Sequence, residues 1–142
     1  MNVIELLNKA AEISDADADM NVSTFVEEYL LDHGEAAWPL LGDVKQIKLN
    51  KWTRGNVSRA TVDGYYLCVV NSIGGGEGGG DHVERIIAAY KLIESTDYRI
   101  VFDTSDASFC KLTGFYSSYD GIDWDEDLRM VSPSLKTIVE FK

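Results

Sequence analysis

Two histidines, His33 and His82, and two cysteines, Cys68 and Cys110, are the residues on hand for acid–base, nucleophilic or soft-metal chemistry. Neither histidine sits in a nucleophile or metalloprotease pattern; GxSxG, HExxH and a Cys-His signature are all missing. His82 follows Asp81 and could form an acid–base pair with a distant hydroxyl, but any chain of this length offers such a combination. The cysteines stand 42 positions apart, in CVV and FCKL, with no CxxC. Apolar neighbours and that spacing predict two reduced, half-buried thiols rather than a disulfide or zinc ligands. Asp123, Asp125 and Asp127 spell DxDxD, as do Asp15, Asp17 and Asp19. A calcium loop of the EF-hand kind needs Gly at its sixth position and Glu at its twelfth. The first run has Leu128 and Ser134 there; the second has Met20 and Val26, with Glu27 one place late. The expectation is a protein with no metal, no cofactor and no catalytic residue.

Two other segments are unusual. Residues 74–81 hold six glycines around Glu77 and end in Asp81. Such a backbone can take positive φ and expose its N–H groups, as phosphate cradles do. Those cradles need GxxxxGK[ST] or GxGxxG between a strand and a helix. Here no Lys, Ser or Thr follows, and Glu77 and Asp81 repel phosphate. The expectation is a mobile hairpin loop, shaped by Gly76, Glu77, Gly78 and Asp81, with ordering against a partner as the alternative. The second segment, 114–127, reads GFYSSYDGIDWDED. Aromatic rings alternate there with hydroxyls and acids across the Asp120-Gly121 turn. Tyr and Trp combine rigid contact area with a polar handle, so Tyr116, Ser118, Tyr119, Asp120 and Trp124 are expected to touch a partner.

These residues need elements to hold them. Val3, Leu6, Leu7 and Ala10 follow the i, i+3, i+4, i+7 spacing of an amphipathic helix over residues 2–13. Thr24 and Glu27 are spaced as a capping box before Phe25, Val26, Tyr29 and Leu30, and His33-Gly34 reads as the end of that second helix. Beyond WPLLGD the period becomes that of strands: 44–53, an RGN turn, then 57–72, rich in β-branched and aromatic residues. Residues 98–102, 108–119 and 135–141 also read as strands. Residues 81–93 fit a helix capped by Asp81 and Glu84, or a strand alternating Ile86, Ala88, Tyr90 and Leu92; strand is the reading adopted. The fold class is then α+β: two short N-terminal helices (residues 1–43) followed by a mostly antiparallel sheet of five or six strands (44–142) with the Gly-rich hairpin loop at 73–81. VDGYY at 62–66 echoes LTGFY at 112–116 too loosely to be a repeat.

The chain has 142 residues, 45% hydrophobic, with 24 acids against 13 bases and a formal charge of −11. That is enough apolar material for a core and too much for a disordered chain. The charge disfavours direct nucleic-acid binding and favours a basic partner. It is unevenly spread: one base against ten acids in residues 1–44, five bases and no acid in 45–62, seven bases against fourteen acids in 63–142. The basic strip Lys45, Lys48, Lys51, Arg54 and Arg59 is expected to lie near the acidic helices. Alternatively, together with the Gly-rich loop, it would enclose a nucleotide-like anion. No apolar run approaches the roughly 20 residues of a membrane span. The amino terminus lacks the basic n-region of a secretory signal, so a cytoplasmic protein is expected.

Three pieces in order, GGGEGGGDHVER, then GFYSSYDG with Trp124 shortly after, then VSPSLKTIVEF as VxPxxKTxxxF, resemble a family of small acidic bacteriophage proteins of unassigned function. The resemblance spans residues 74–141. It implies phage origin, a sheet-based fold and a strand at 81–93, and supplies no catalytic residue. Together with the composition it gives the expected function: a non-enzymatic phage accessory protein in the host cytoplasm that binds a host or phage protein, with inhibition as one outcome of binding.

Overall fold

A computed structural model of the chain describes residues 2–14, 21–32, 44–73, 81–117, 121–125 and 128–131. The first helix, α1 (Val3–Ser14), presents Val3, Leu6, Leu7, Ala10 and Ala11 to the core, as the spacing predicts. Its start is closed reciprocally: the Glu5 N–H donates to Asn2 Oδ1 (3.0 Å) and the Asn2 N–H to Glu5 Oε1 (3.2 Å). The second helix, α2 (Val22–Tyr29), buries Phe25 and Val26. Its cap is Asn21, whose side chain accepts from the Thr24 N–H at 2.8 Å, and not the expected Thr24–Glu27 box. Glu27 instead reaches the sheet. The helix also stops short of the expected His33-Gly34, because Leu30 turns extended and Leu31 accepts a backbone bond from Val69.

The strands are β1 (Val44–Lys48), β2 (Thr61–Val62), β3 (Tyr65–Ile73), β4 (Asp81–Ser95), β5 (Arg99–Ser117), β6 (Gly121–Trp124) and β7 (Arg129–Val131). Every pairing between them is antiparallel, in the order β1-β5-β4-β3-β2. The expected α+β architecture is therefore present: among the described residues the sheet has seven strands, five of them in the main order. The strands expected at 98–102 and 108–119 are not separate: residues 99–102 and 108–117 both belong to β5. One edge of β5 pairs with β4; the other pairs in turn with β1, β7 and β6.

Residues 81–93 are strand because both faces are needed inside. Ile86 to Tyr90 are all at most 2% exposed, five in a row, the mark of a central strand. A helix would have turned part of that run to water. On one face the Tyr66, Tyr90, Phe102 and Phe109 rings pack together, with centroids 5.0–6.2 Å apart. On the other, Arg85 meets Glu27 of α2 at 3.3 Å, which fixes that helix over the sheet. Helices and sheet share one hydrophobic core. Register shifts at Val69/Asn71, Tyr90/Lys91 and Leu92/Glu94 bend the sheet.

The RGN turn and the single strand over 57–72 are overturned. Residues Arg54–Arg59 form a short helix, α3, and strand structure begins only at Thr61. Asn50 starts the change: its side chain accepts from the N–H groups of Trp52 (2.8 Å) and Thr53 (3.0 Å). Val57 and Ala60, one turn apart, then enter the core. The basic strip is thus divided between β1, whose exposed Lys45 and Lys48 discourage edge pairing, and α3, whose Arg59 lies over the Tyr29 ring of α2 at 4.7 Å.

Asp63-Gly64 closes the β2–β3 hairpin with φ of 50° and 82°. Positive φ at both positions is what a two-residue hairpin of the mirror-image type requires. Nothing lies within 4 Å of a Cβ built on Gly64. Gly64→Ala should therefore cost about 1 kcal/mol by backbone strain alone, read from urea unfolding. An unchanged midpoint would contradict this. Lys9 of α1 holds the turn through Asp63 at 2.6 Å. Among the described residues no helix is long and apolar enough to cross a membrane.

Candidate functional site

The register brings both unusual segments to one end of the sheet. β4 opens at Asp81 opposite Tyr116, and His82, Val83 and Glu84 follow opposite Phe115, Gly114 and Thr113. β6 continues the row on the far side, with Gly114 opposite Trp124 and Phe115 opposite Asp123. The strand ends that flank the Gly-rich segment and the aromatic hairpin are therefore neighbours. By contrast, β4 runs its full length between Asp81 and Ser95 before the chain meets the neighbourhood of the basic strip.

His82, Thr113, Gly114, Phe115, Trp124 and Asp125 line an open cleft of about 490 Å³. Phe115 is 54% exposed on its rim. Trp124 is half-buried and packs against the core. The Arg85 guanidinium lies 5.4 Å from the Trp124 ring centroid while also pairing with Glu27. Trp124 is thereby braced from α2 through one arginine, and its position depends on that helix. The Asp125 N–H donates to the Thr113 carbonyl at 2.9 Å and closes the cleft's end.

Charge lies on the Phe115 face of the sheet. His82 Nε2 lies 3.0 Å from Glu84 Oε1, and Lys111 Nζ lies 3.7 Å from the same oxygen. His82 itself is mostly exposed. Its imidazole is oriented by a carboxylate, which suits a hydrogen-bonding rim residue. Among the described residues, no group of three His, Cys, Asp or Glu side chains is placed to hold a metal ion. Cys68 and Cys110 are both wholly buried, further in than the half-buried thiols expected, and both are free.

No protein-family model, curated protein or solved structure matches this chain.

Of the residues expected to make contact, Trp124 lies in the cleft, and Tyr116 lies on β5 beside it. Ser118, Tyr119 and Asp120 fall outside the described residues, as do Gly76, Glu77 and Gly78 of the loop, the 135–141 strand and the Asp15–Asp19 run. Phe115, His82 and Thr113 join the site although sequence reasoning did not select them. A signal was present: His82 and Glu84 alternate along β4, and Phe115 and Thr113 alternate along β5. Once the two strands pair, those alternations share a face.

Proposed function

We propose that this protein is a non-enzymatic binding module, and that its partner is a host or phage protein held at the β4–β5–β6 end of the sheet. One observation carries the reading: Phe115, a large apolar ring, stands 54% exposed at an open cleft whose lining includes His82, Thr113 and Asp125. An exposed aromatic in a cleft rimmed by polar groups is the composition of an interface anchor. Tyr116 and the tip residues Ser118, Tyr119 and Asp120 would extend the contact. The formal charge of −11 speeds encounter with a basic surface. The resemblance to bacteriophage proteins supports an infected cell as the setting.

The test is retention of partner from host lysate on immobilised protein, comparing wild type with Phe115→Ser and with Ile13→Ser. Ile13 is 69% exposed on α1 and serves as the control. Phe115→Ser should lose retention tenfold or more, as hot-spot truncations of about 2 kcal/mol do, while Ile13→Ser keeps it. Nothing retained above background, or equal retention by Phe115→Ser, overturns the proposal.

A further inference from the structure

A second cleft lies at the opposite end of β4, between α3 and the β4–β5 turn. Its volume is about 510 Å³, within the range of small-ligand sites, and its lining includes Lys51, Arg54, Ser58, Thr61, Ser95 and Asp97. Lys51 and Arg54 belong to the one stretch of the chain with five bases and no acid. The lining holds one acid, Asp97, and among the described residues no ion pair joins it to Lys51 or Arg54. Among the described residues the ion pairs are Lys9–Asp63, His82–Glu84, Arg85–Glu27, Arg99–Glu94 and Lys111–Glu84, none of which involves Lys51 or Arg54. Glu94, a carboxylate of the neighbouring β4–β5 hairpin, is held by Arg99 at 3.1–3.3 Å.

Two exposed rings adjoin the lining residues in sequence. Trp52 is 79% exposed and sits between Lys51 and Arg54 in sequence; Tyr98 is 77% exposed and follows Asp97. The Leu49 N–H donates to the Tyr98 carbonyl at 2.8 Å, which ties the two sides of the cleft together. These are the most exposed aromatics among the large exposed hydrophobic residues described; each is the chain neighbour of a lining residue, Lys51 and Asp97, and the Lys51 ammonium lies 4.9 Å from the Trp52 ring centroid. The arrangement combines cations for a phosphate, hydroxyls for a sugar or phosphate oxygen, and flat apolar surface for a base. Asp97 is suited to accept from a sugar hydroxyl or an amino group.

We propose that this cleft binds a free nucleotide, with Lys51 and Arg54 on its phosphate and Trp52 or Tyr98 against its base. The site is separate from the partner surface at the other end of β4, so either assignment can fail alone. It uses the basic strip without the Gly-rich loop, whose flanking residues Ile73 and Asp81 lie at that other end.

Calorimetric titration with adenosine 5′-monophosphate, inorganic phosphate and short oligothymidylates tests it on wild type, Lys51→Ala, Arg54→Ala and Trp52→Ala. Lys51, Arg54 and Trp52 are exposed, so these variants leave the core intact, and circular dichroism checks this. The monophosphate should bind more tightly than phosphate, and each cation removed should weaken it about tenfold or more. Trp52→Ala should weaken the monophosphate and leave phosphate unchanged. No heat with the monophosphate, or affinity indifferent to Lys51→Ala and Arg54→Ala, overturns the site. Phosphate binding as tightly as the monophosphate overturns the base contact. Affinity that appears only with oligothymidylates and grows with their length overturns the free nucleotide in favour of a single strand.

Discussion

Phe102→Ala should lower the stability of this protein by about 3–5 kcal/mol, a third or more of what a domain of this size commonly has. Phe102 is 3% exposed, and its ring centroid lies 5.2 Å from that of Tyr66 and 5.0 Å from that of Tyr90, stacked on the latter. The residue also stands where three strands meet, opposite Leu92 of β4 and Lys45 of β1. Removing the ring deletes buried apolar area and leaves a void between two large phenols that packed strands cannot readily close. Phe102→Leu keeps much of the volume and should cost less than half as much. Urea denaturation measures both. Equal, small losses for the two variants would mean that the aromatic cluster does not hold the bent sheet together.

Alkaline pH should unfold the protein well before a surface-charge argument would predict. Burial pushes the Cys110 thiol from 9.0 up to about 12. Burial, reinforced by Asp32, raises Cys68 further, and burial raises the phenols of Tyr66 and Tyr90, with Cys68 adding to both. In the folded state these groups keep their protons; in the unfolded chain the thiols lose theirs from about pH 9. The unfolded state then binds fewer protons than the native one, so stability falls as pH rises. It is fully present below pH 9 and declines between about pH 9 and 12, by up to about 1.4 kcal/mol per pH unit for each thiol. Two thiols together give about 2.7 kcal/mol per unit, and the phenols add to it above about pH 10. Urea midpoints from pH 8 to 11 read the slope. Cys110→Ala should shift the whole curve by its packing cost and also remove one thiol's share of the slope. A stability unchanged between pH 9 and 10 would contradict the burial of both thiols.

The amphipathic spacing of α1 and the antiparallel β3–β4 pairing around the Gly-rich segment were legible because each rests on local periodicity. α3 was hidden for the opposite reason. Its sequence, RGNVSR, has the composition of a turn, and only Asn50 upstream and the Val57–Ala60 step into the core make one and a half turns of helix worthwhile. The Thr24–Glu27 box failed because Asn21 caps three residues earlier and Arg85, 58 positions away, claims Glu27. Asp63-Gly64 was visible in the sequence as a hairpin dipeptide, yet the apolar run around it drew the strand straight through.

The same division runs through the two clefts. Residue type pointed to Trp124 and to Lys51 and Arg54, since an aromatic hairpin and an acid-free stretch stand out in a chain of charge −11. It did not single out Phe115 or His82, and it set the basic strip and the Gly-rich loop around one ligand. Strand register decides otherwise: β4 carries the loop at one end and the basic cleft at the other.

By itself, then, the sequence determined the fold class, the N-terminal helices and the burial of the cysteines' neighbourhood, because hydrophobic period and turn chemistry act over a few residues. The tertiary structure alone decided which edge of β5 each short strand takes, which rings stay outside and which cations go without an acid. Those outcomes depend on pairings between residues tens of positions apart, and a chain read in one dimension does not contain their distances.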